Sequence, residues 1–247
     1  MSDPIYPFFQ RSYFEPLAAS HKEKYKKAFP FPHAVIEDFL PLEIAELTHN
    51  SFPGRNLESF EQPDNEFQVN KLGRTQENDF AGVPPFVRHL LNDLNAKVFI
   101  DFLEALTGIQ GLIPDPHYFG GALHQILPGG SLAIHADFNR HRRLKLDRRL
   151  NVLIYFNKNW KPEYGGDLEL WDTEMTFCAE RIAPLFNRCV VFNTTSNSFH
   201  GHPIPLTCPE DRTRNSIAMY YYTNGRPEAE TSEAHSTLWQ DRPDADY

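Results

Sequence analysis

The hydrophobic period of this chain changes near residue 118, and that change restricts the fold more than any other feature. Before it, apolar residues recur at three- and four-residue steps. The clearest run is Phe86 to Leu106, where Val87, Leu90, Leu91, Leu94, Val98, Phe102, Leu103 and Leu106 form one stripe, as on a helix packed by one face. Pro84 and Pro85 suit its first turn and Gly108 its exit. Further helices are expected after Pro41 and over Glu15 to Lys27. Residues 52–84, rich in Pro, Asn, Asp, Gln and Gly, read as irregular loop with a strand at Phe67 to Leu72. Beyond residue 118 the period becomes two, with turns at Gly120-Gly121, Pro128-Gly129-Gly130 and Gly165-Gly166. Expected strands are Ala122 to Leu127, Ser131 to Asp137, Arg148 to Asn157, Asp167 to Trp171, Thr176 to Ile182, Cys189 to Asn193, Ser198 to His202 and Asn215 to Thr223. Eight short strands with such punctuation predict an α+β, mostly β jelly roll carrying an N-terminal helical layer. With no linker or repeat, the expectation is a single domain: residues 1–117 as helical support, 118–225 as the β core and 226–247 as a tail.

Acidic residues outnumber basic ones by 33 to 24, for a net charge of −9, which disfavours a nucleic-acid partner held by overall charge. No stretch approaches the roughly 18 apolar residues of a membrane span. Three scattered cysteines, Cys178, Cys189 and Cys208, suit neither a disulfide framework nor a thiolate zinc site, and with no export signal at the N-terminus the expectation is a reducing, cytoplasmic setting. Among the eleven histidines, His33, His49, His89, His117 and His235 are read as surface or hydrogen-bonded residues. His21 and Glu23 are two apart in a helical stretch and so face different ways. His124 is read as structural.

His135-Ala136-Asp137 is different. Residues i and i+2 of a strand share a face, so this imidazole and carboxylate can converge on one ion. His200 lies in another expected strand, and two histidines with one carboxylate form the facial set that leaves open positions on Fe(II). His202 shares a face with His200 and is its rival, as ligand or as substrate contact. Farther on, Arg214 and Ser216 share a strand face, and arginine supplies the planar fork that grips a carboxylate. Arg212 is the rival anchor.

The order H-x-D, a Y-x-N strand, Gly-Gly, a second His and R-x-S resembles the prolyl 4-hydroxylase-like branch of the Fe(II)/2-oxoglutarate dioxygenases. The run Leu153-Ile154-Tyr155-Phe156-Asn157-Lys158-Asn159-Trp160 with Gly165-Gly166-Asp167-Leu168 is similar to the animal oxygen-sensing prolyl hydroxylases. The resemblance spans roughly His124 to Thr223 and implies a double-stranded β-helix preceded by helices. It implies that His135, Asp137 and His200 bind Fe(II), that Arg214 and Tyr155 hold the C5 carboxylate of 2-oxoglutarate with Ser216 as a third donor, and that Leu153 and Leu168 wall that pocket. O2 is the other co-substrate, and ascorbate a stimulant. The implied reaction couples decarboxylation of 2-oxoglutarate to succinate with hydroxylation of an amino-acid, peptide or protein substrate, prolyl by nearest analogy. Two departures stand out: fourteen positions separate His200 from Arg214 where the family has about ten, and Leu127 holds the place of a co-substrate-binding tyrosine, for which Gln125 is the expected substitute.

Between Asp137 and Tyr155, the stretch Asn139 to Arg149 carries six Lys or Arg in eleven residues. Rimming the open end of the barrel, it would attract an anionic substrate, with Arg142 and Arg143 as contacts. Strand parity from Tyr155 turns Leu153, Asn151 and Arg149 inward. Two other readings are a cupin-type iron enzyme without 2-oxoglutarate and a non-catalytic jelly-roll binding module.

Overall fold

In the computed structural model, residues 9–54, 66–72 and 83–242 are described. Four helices come mainly first: α1 (Arg11–Lys27), α2 (Leu42–Asn50), α3 (Pro85–Leu94) and α4 (Lys97–Thr107). The strands are β1 (His33–Ile36), β2 (Gln68–Leu72), β3 (Ile113–Pro114), β4 (Ala122–Ala136), β5 (Asp147–Tyr155), β6 (Leu168–Trp171), β7 (Cys178–Ile182), β8 (Cys189–Asn193), β9 (His200–His202), β10 (Arg214–Thr223) and β11 (Leu238–Trp239). They join in the order β1-β8-β5-β10-β4-β9-β6-β7, with β2 and β11 on β4 and β3 on β10. The result is a nearly closed jelly-roll barrel under a helical layer. Among the described residues no helix is long and apolar enough to cross a membrane, and all three cysteines are free.

The apolar stripe expected as one helix is two. Asn95 ends α3, and Ala96, extended at ψ 160°, starts α4. The break lets both short helices bury Leu90, Leu91, Leu94, Phe99, Phe102 and Leu103 in one core with Phe14 of α1 and Leu150, Val152, Met219 and Tyr221 of the barrel. Gly108 leaves α4 in the left-handed region at φ 79°, which costs glycine little. Much of the loop expected over residues 52–84 lies outside the described residues.

Two expected strands, Ala122 to Leu127 and Ser131 to Asp137, are one. The chain runs straight through Pro128-Gly129-Gly130 as the 15-residue β4, because the neighbouring loop satisfies that stretch: Gly129 N donates to Leu206 O and Leu206 N to Gly130 O, at 2.8 and 3.0 Å. β4 is thereby common to both halves of the barrel, pairing with β10 through Ala122–Ile126 and with β9 through Leu132 and His135.

Bulges interrupt the alternation at two places that matter. On β4 the register with β9 shifts between Leu132 and His135. On β5 it shifts against Tyr221 and Tyr222 of β10, leaving Arg149 as the extra residue between Leu150 and Arg148. An extra residue reverses which side chains face inward beyond it.

Candidate active site

His135 and His200 lie directly opposite one another on β4 and β9, with ring centroids 4.5 Å apart. Each Nδ1 is 2.8–2.9 Å from a carbonyl two residues back, Ala133 O and Ser198 O. That bond places the proton on Nδ1 and leaves Nε2 as the free lone pair aimed inward. Asp137 completes the cluster, with Oδ1 3.7 Å from His135 Nε2 and Oδ2 3.4 Å from His200 Nε2. One donor atom from each residue falls within 4.8 Å of the others.

The electrostatics suit a cation. Burial opposes ionisation of Asp137, but the Arg148 guanidinium and then the two imidazoles outweigh it and hold the carboxyl well below its usual range. Burial, and then the neighbouring His135, push the His200 imidazole down to about 4, so it is neutral and can ligate. Two imidazoles, that of His200 neutral, and one carboxylate fit a divalent metal of the non-haem iron kind.

This cluster opens into a cavity of about 830 Å³. On another wall stands Arg214, 4% exposed, with no carboxylate of the described residues at salt-bridge distance. Its Nε donates to Gly166 O at 2.8 Å and its Nη2 to the Tyr155 hydroxyl at 3.3 Å. Gly166 leaves room for it: a Cβ there, at φ 77°, would come 3.0 Å from Arg214 Cδ and 2.5 Å from Leu206 Cδ2. Burial keeps the Tyr155 hydroxyl protonated despite Arg214. Ser216 sits opposite Tyr155 in the register and lines the cavity with Leu153 and Leu168. A buried guanidinium without a carboxylate is a ready site for an anion, and the planar fork fits a ligand carboxylate.

Residues 121–222 match the 2OG-Fe(II) oxygenase superfamily. This segment belongs to that superfamily. The oxygenase core sits in a prolyl hydroxylase-like fold. A prolyl-4-hydroxylase from Pseudomonas putida superposes with a TM-score of 0.55 at 18% identity, covering 84% of this chain and all of that one. The Trichoplax adhaerens prolyl hydroxylase solved with a hypoxia-inducible-factor peptide gives 0.56 at 19%, covering 85% and 91%. HygX from Streptomyces hygroscopicus, solved with nickel, 2-oxoglutarate and hygromycin B, gives 0.51 at 13%, covering 83% and 92%. Among curated proteins, none matches this sequence significantly. Fe(II) and 2-oxoglutarate are the cofactor and co-substrate of the superfamily, and the oxygenase core has a donor set for each.

Several expected residues fall where the sequence put them, and others do not. His202 is buried on the cavity wall beside His200 but outside the three-residue cluster. Arg212 turns away, donating to Lys158 O at 3.0 Å. Gln125 does not face the cavity: it bonds Pro53 O, Thr213 and Asn215, while His124 and Ile126 line the wall. The β4 bulge is the reason, since parity counted back from His135 is inverted beyond it. Arg149 is also misplaced by parity. It pairs with Glu230 at 3.0 Å and reaches Thr223, and Arg148 takes the inward place. Arg142 reaches the rim with Arg140 and Lys145, whereas Arg143 does not line the cavity.

The tail, set aside in the sequence as an appendage, is a wall of the site. Asn139 holds it by donating to Ser232 Oγ and Glu233 O and accepting from His235 N at 2.9 Å. β11 then pairs with β4, Trp239 opposite His135, and His235, Ser236 and Thr237 join Trp239 in the lining. A lone Trp in a polar segment was the available signal, and spacing alone could not tell which strand it would meet.

Proposed function

We propose that this chain is an Fe(II)/2-oxoglutarate-dependent hydroxylase in which His135, Asp137 and His200 hold the iron and Arg214, with Tyr155 and Ser216, holds the far carboxylate of 2-oxoglutarate. The observation that carries this reading is the conjunction of a buried His-Asp-His cluster and a buried, carboxylate-free arginine in one cavity. A binding module or a cupin enzyme without 2-oxoglutarate would have no use for Arg214 inside the barrel. When bound, iron and 2-oxoglutarate supply the oxidising chemistry, consuming O2, releasing succinate and CO2, and delivering one oxygen atom to the substrate as hydroxyl.

The chain's own residues bind and orient. The fork of Arg214 fixes one end of the co-substrate, the protonated Tyr155 hydroxyl can donate to the same carboxylate, and Leu153 and Leu168 exclude water beside it. The helical layer and barrel share one core, and we read the chain as a single domain.

For substrate, one fold neighbour is solved with a peptide and another with hygromycin B, and our reading is an anionic amino-acid, peptide or protein substrate, supported by the charge of the cavity. Asp137 is the one acid lining it among the described residues, against Arg140, Arg142, Lys145, Arg148 and Arg214. Prolyl hydroxylation is the first assay to run.

Anaerobic addition of Fe(II) and 2-oxoglutarate should produce the weak visible charge-transfer band of chelated co-substrate. His135→Ala or Asp137→Ala should abolish it, and Arg214→Ala should weaken 2-oxoglutarate binding without loss of iron, with Arg212→Ala as control. A folded, iron-loaded protein that shows no band refutes the reading.

A further inference from the structure

We propose that Arg148 and Asn151 are positioning residues that hold Asp137 as a one-oxygen ligand, an inference that rests on the metal reading above. Arg148 is 1% exposed although it lines the cavity. Its Nη2 lies 3.0 Å from Asp137 Oδ2. Its Nε and Nη2 donate to Asn151 Oδ1 at 3.0 and 2.7 Å, and Asn151 Nδ2 donates to the same Asp137 Oδ2 at 2.7 Å. The three side chains therefore close a triangle. Both of its contacts to the carboxylate fall on Oδ2, which also lies 3.4 Å from His200 Nε2, while Oδ1 takes no contact from the triangle and keeps 3.7 Å from His135 Nε2.

The guanidinium cannot easily leave this position. Its centre stands 3.6 Å from the Tyr220 ring and 4.5 Å from the Phe138 ring, so aromatic groups pack against it. The β5 bulge turns it inward, and Asn151, three residues on, meets it there because of the same extra residue.

The chemical consequence concerns coordination. A carboxylate that chelates through both oxygens occupies two positions on a metal, and one that binds through a single oxygen leaves the other free for co-substrate or O2. For Oδ2 to swing onto a metal, the ion pair with Arg148 and the charge-assisted hydrogen bond from Asn151 would both have to break in a buried site. Arginine suits the task better than lysine because its planar fork spans Asn151 and Asp137 at once.

The test uses the full chain loaded with Co(II), reading its ligand-field absorption and then the 2-oxoglutarate affinity of the loaded protein. Arg148→Met and Asn151→Leu should each change the Co(II) bands and raise the 2-oxoglutarate Kd about tenfold, the usual reach of changes beside a metal ligand. Arg148→Lys, which keeps a charge and one donor, should recover part of both. Should Arg148→Met fail to fold by circular dichroism, Asn151→Leu decides the question on the same readouts. Folded variants with wild-type bands and a Kd within about twofold of wild type would overturn the proposal. A wild-type protein that gives no Co(II) bands would instead refute the metal reading itself, and the positioning role with it.

Discussion

Trp239 stands opposite His135 across β11 and β4, its ring centroid 5.0 Å from the imidazole, and it stacks at 4.7 Å and 9° on Phe67 of the segment leading into β2. Two segments far apart in the chain thus meet over the candidate metal site. Trp239→Ala should leave metal and 2-oxoglutarate affinity near wild type. Succinate formation without substrate should rise roughly threefold, because an opened cavity admits water to the reaction. Comparing succinate yield with and without Trp239 checks this.

Gly166→Ala tests the co-substrate wall. The added methyl meets Leu206 and Arg214 at 2.5 and 3.0 Å, on a backbone at φ 77°, so the arginine must move. A rise of about tenfold in 2-oxoglutarate Kd, about 1.4 kcal/mol, is expected with metal affinity retained. Titration of the charge-transfer band measures both.

For the rim, Arg140, Arg142 and Lys145 reach the cavity and have no carboxylate partner among the described residues. Reversing Arg142 and Lys145 to Glu should raise KM for the true substrate about tenfold, with the effect shrinking at high salt. Arg143→Glu, equally basic in sequence but off the lining, should leave KM unchanged.

The His200 imidazole predicts acid sensitivity of the metal-free protein. Its folded pKa, pushed down to about 4 from 6.5, means that the unfolded chain takes up the proton first. Its contribution is complete above about pH 6.5 and is lost as pH falls toward 4. Between pH 7 and 5 the loss is about 2 kcal/mol. Urea unfolding at the two pH values should show it, and His200→Gln should remove most of the difference.

Much of this site is legible in the sequence because strand periodicity is local. The i, i+2 spacing of His135 and Asp137, of Arg214 and Ser216, and of Leu153 and Tyr155 survives into the fold, as do the helical layer and most strand positions. What is lost depends on partners elsewhere in the chain. Ala96 breaks the long apolar stripe so that α3 and α4 each turn an apolar face to one shared core, Leu206 carries β4 through a proline-glycine turn signal, and Trp239 gains its meaning from β4. A step of two back from Leu127, the place given by the resemblance, pointed to Gln125, and counting by twos from Tyr155 pointed to Arg149. A bulge that only the neighbouring strand defines separates Gln125 from the face of His135, and another takes Arg149 off the face of Tyr155.

The bulge at Arg149 also bears on how this site can diverge. Removing Arg149 would restore plain alternation with Arg148 still on the cavity side beside Asn151, and would take away the arginine that pairs with Glu230 of the tail. A single-codon deletion would then spare the arginine of the metal site and release the tail, with the composition of the loop otherwise unchanged. Relatives of this chain are therefore better sorted by the length of the stretch from Asp137 to Tyr155 than by its count of basic residues.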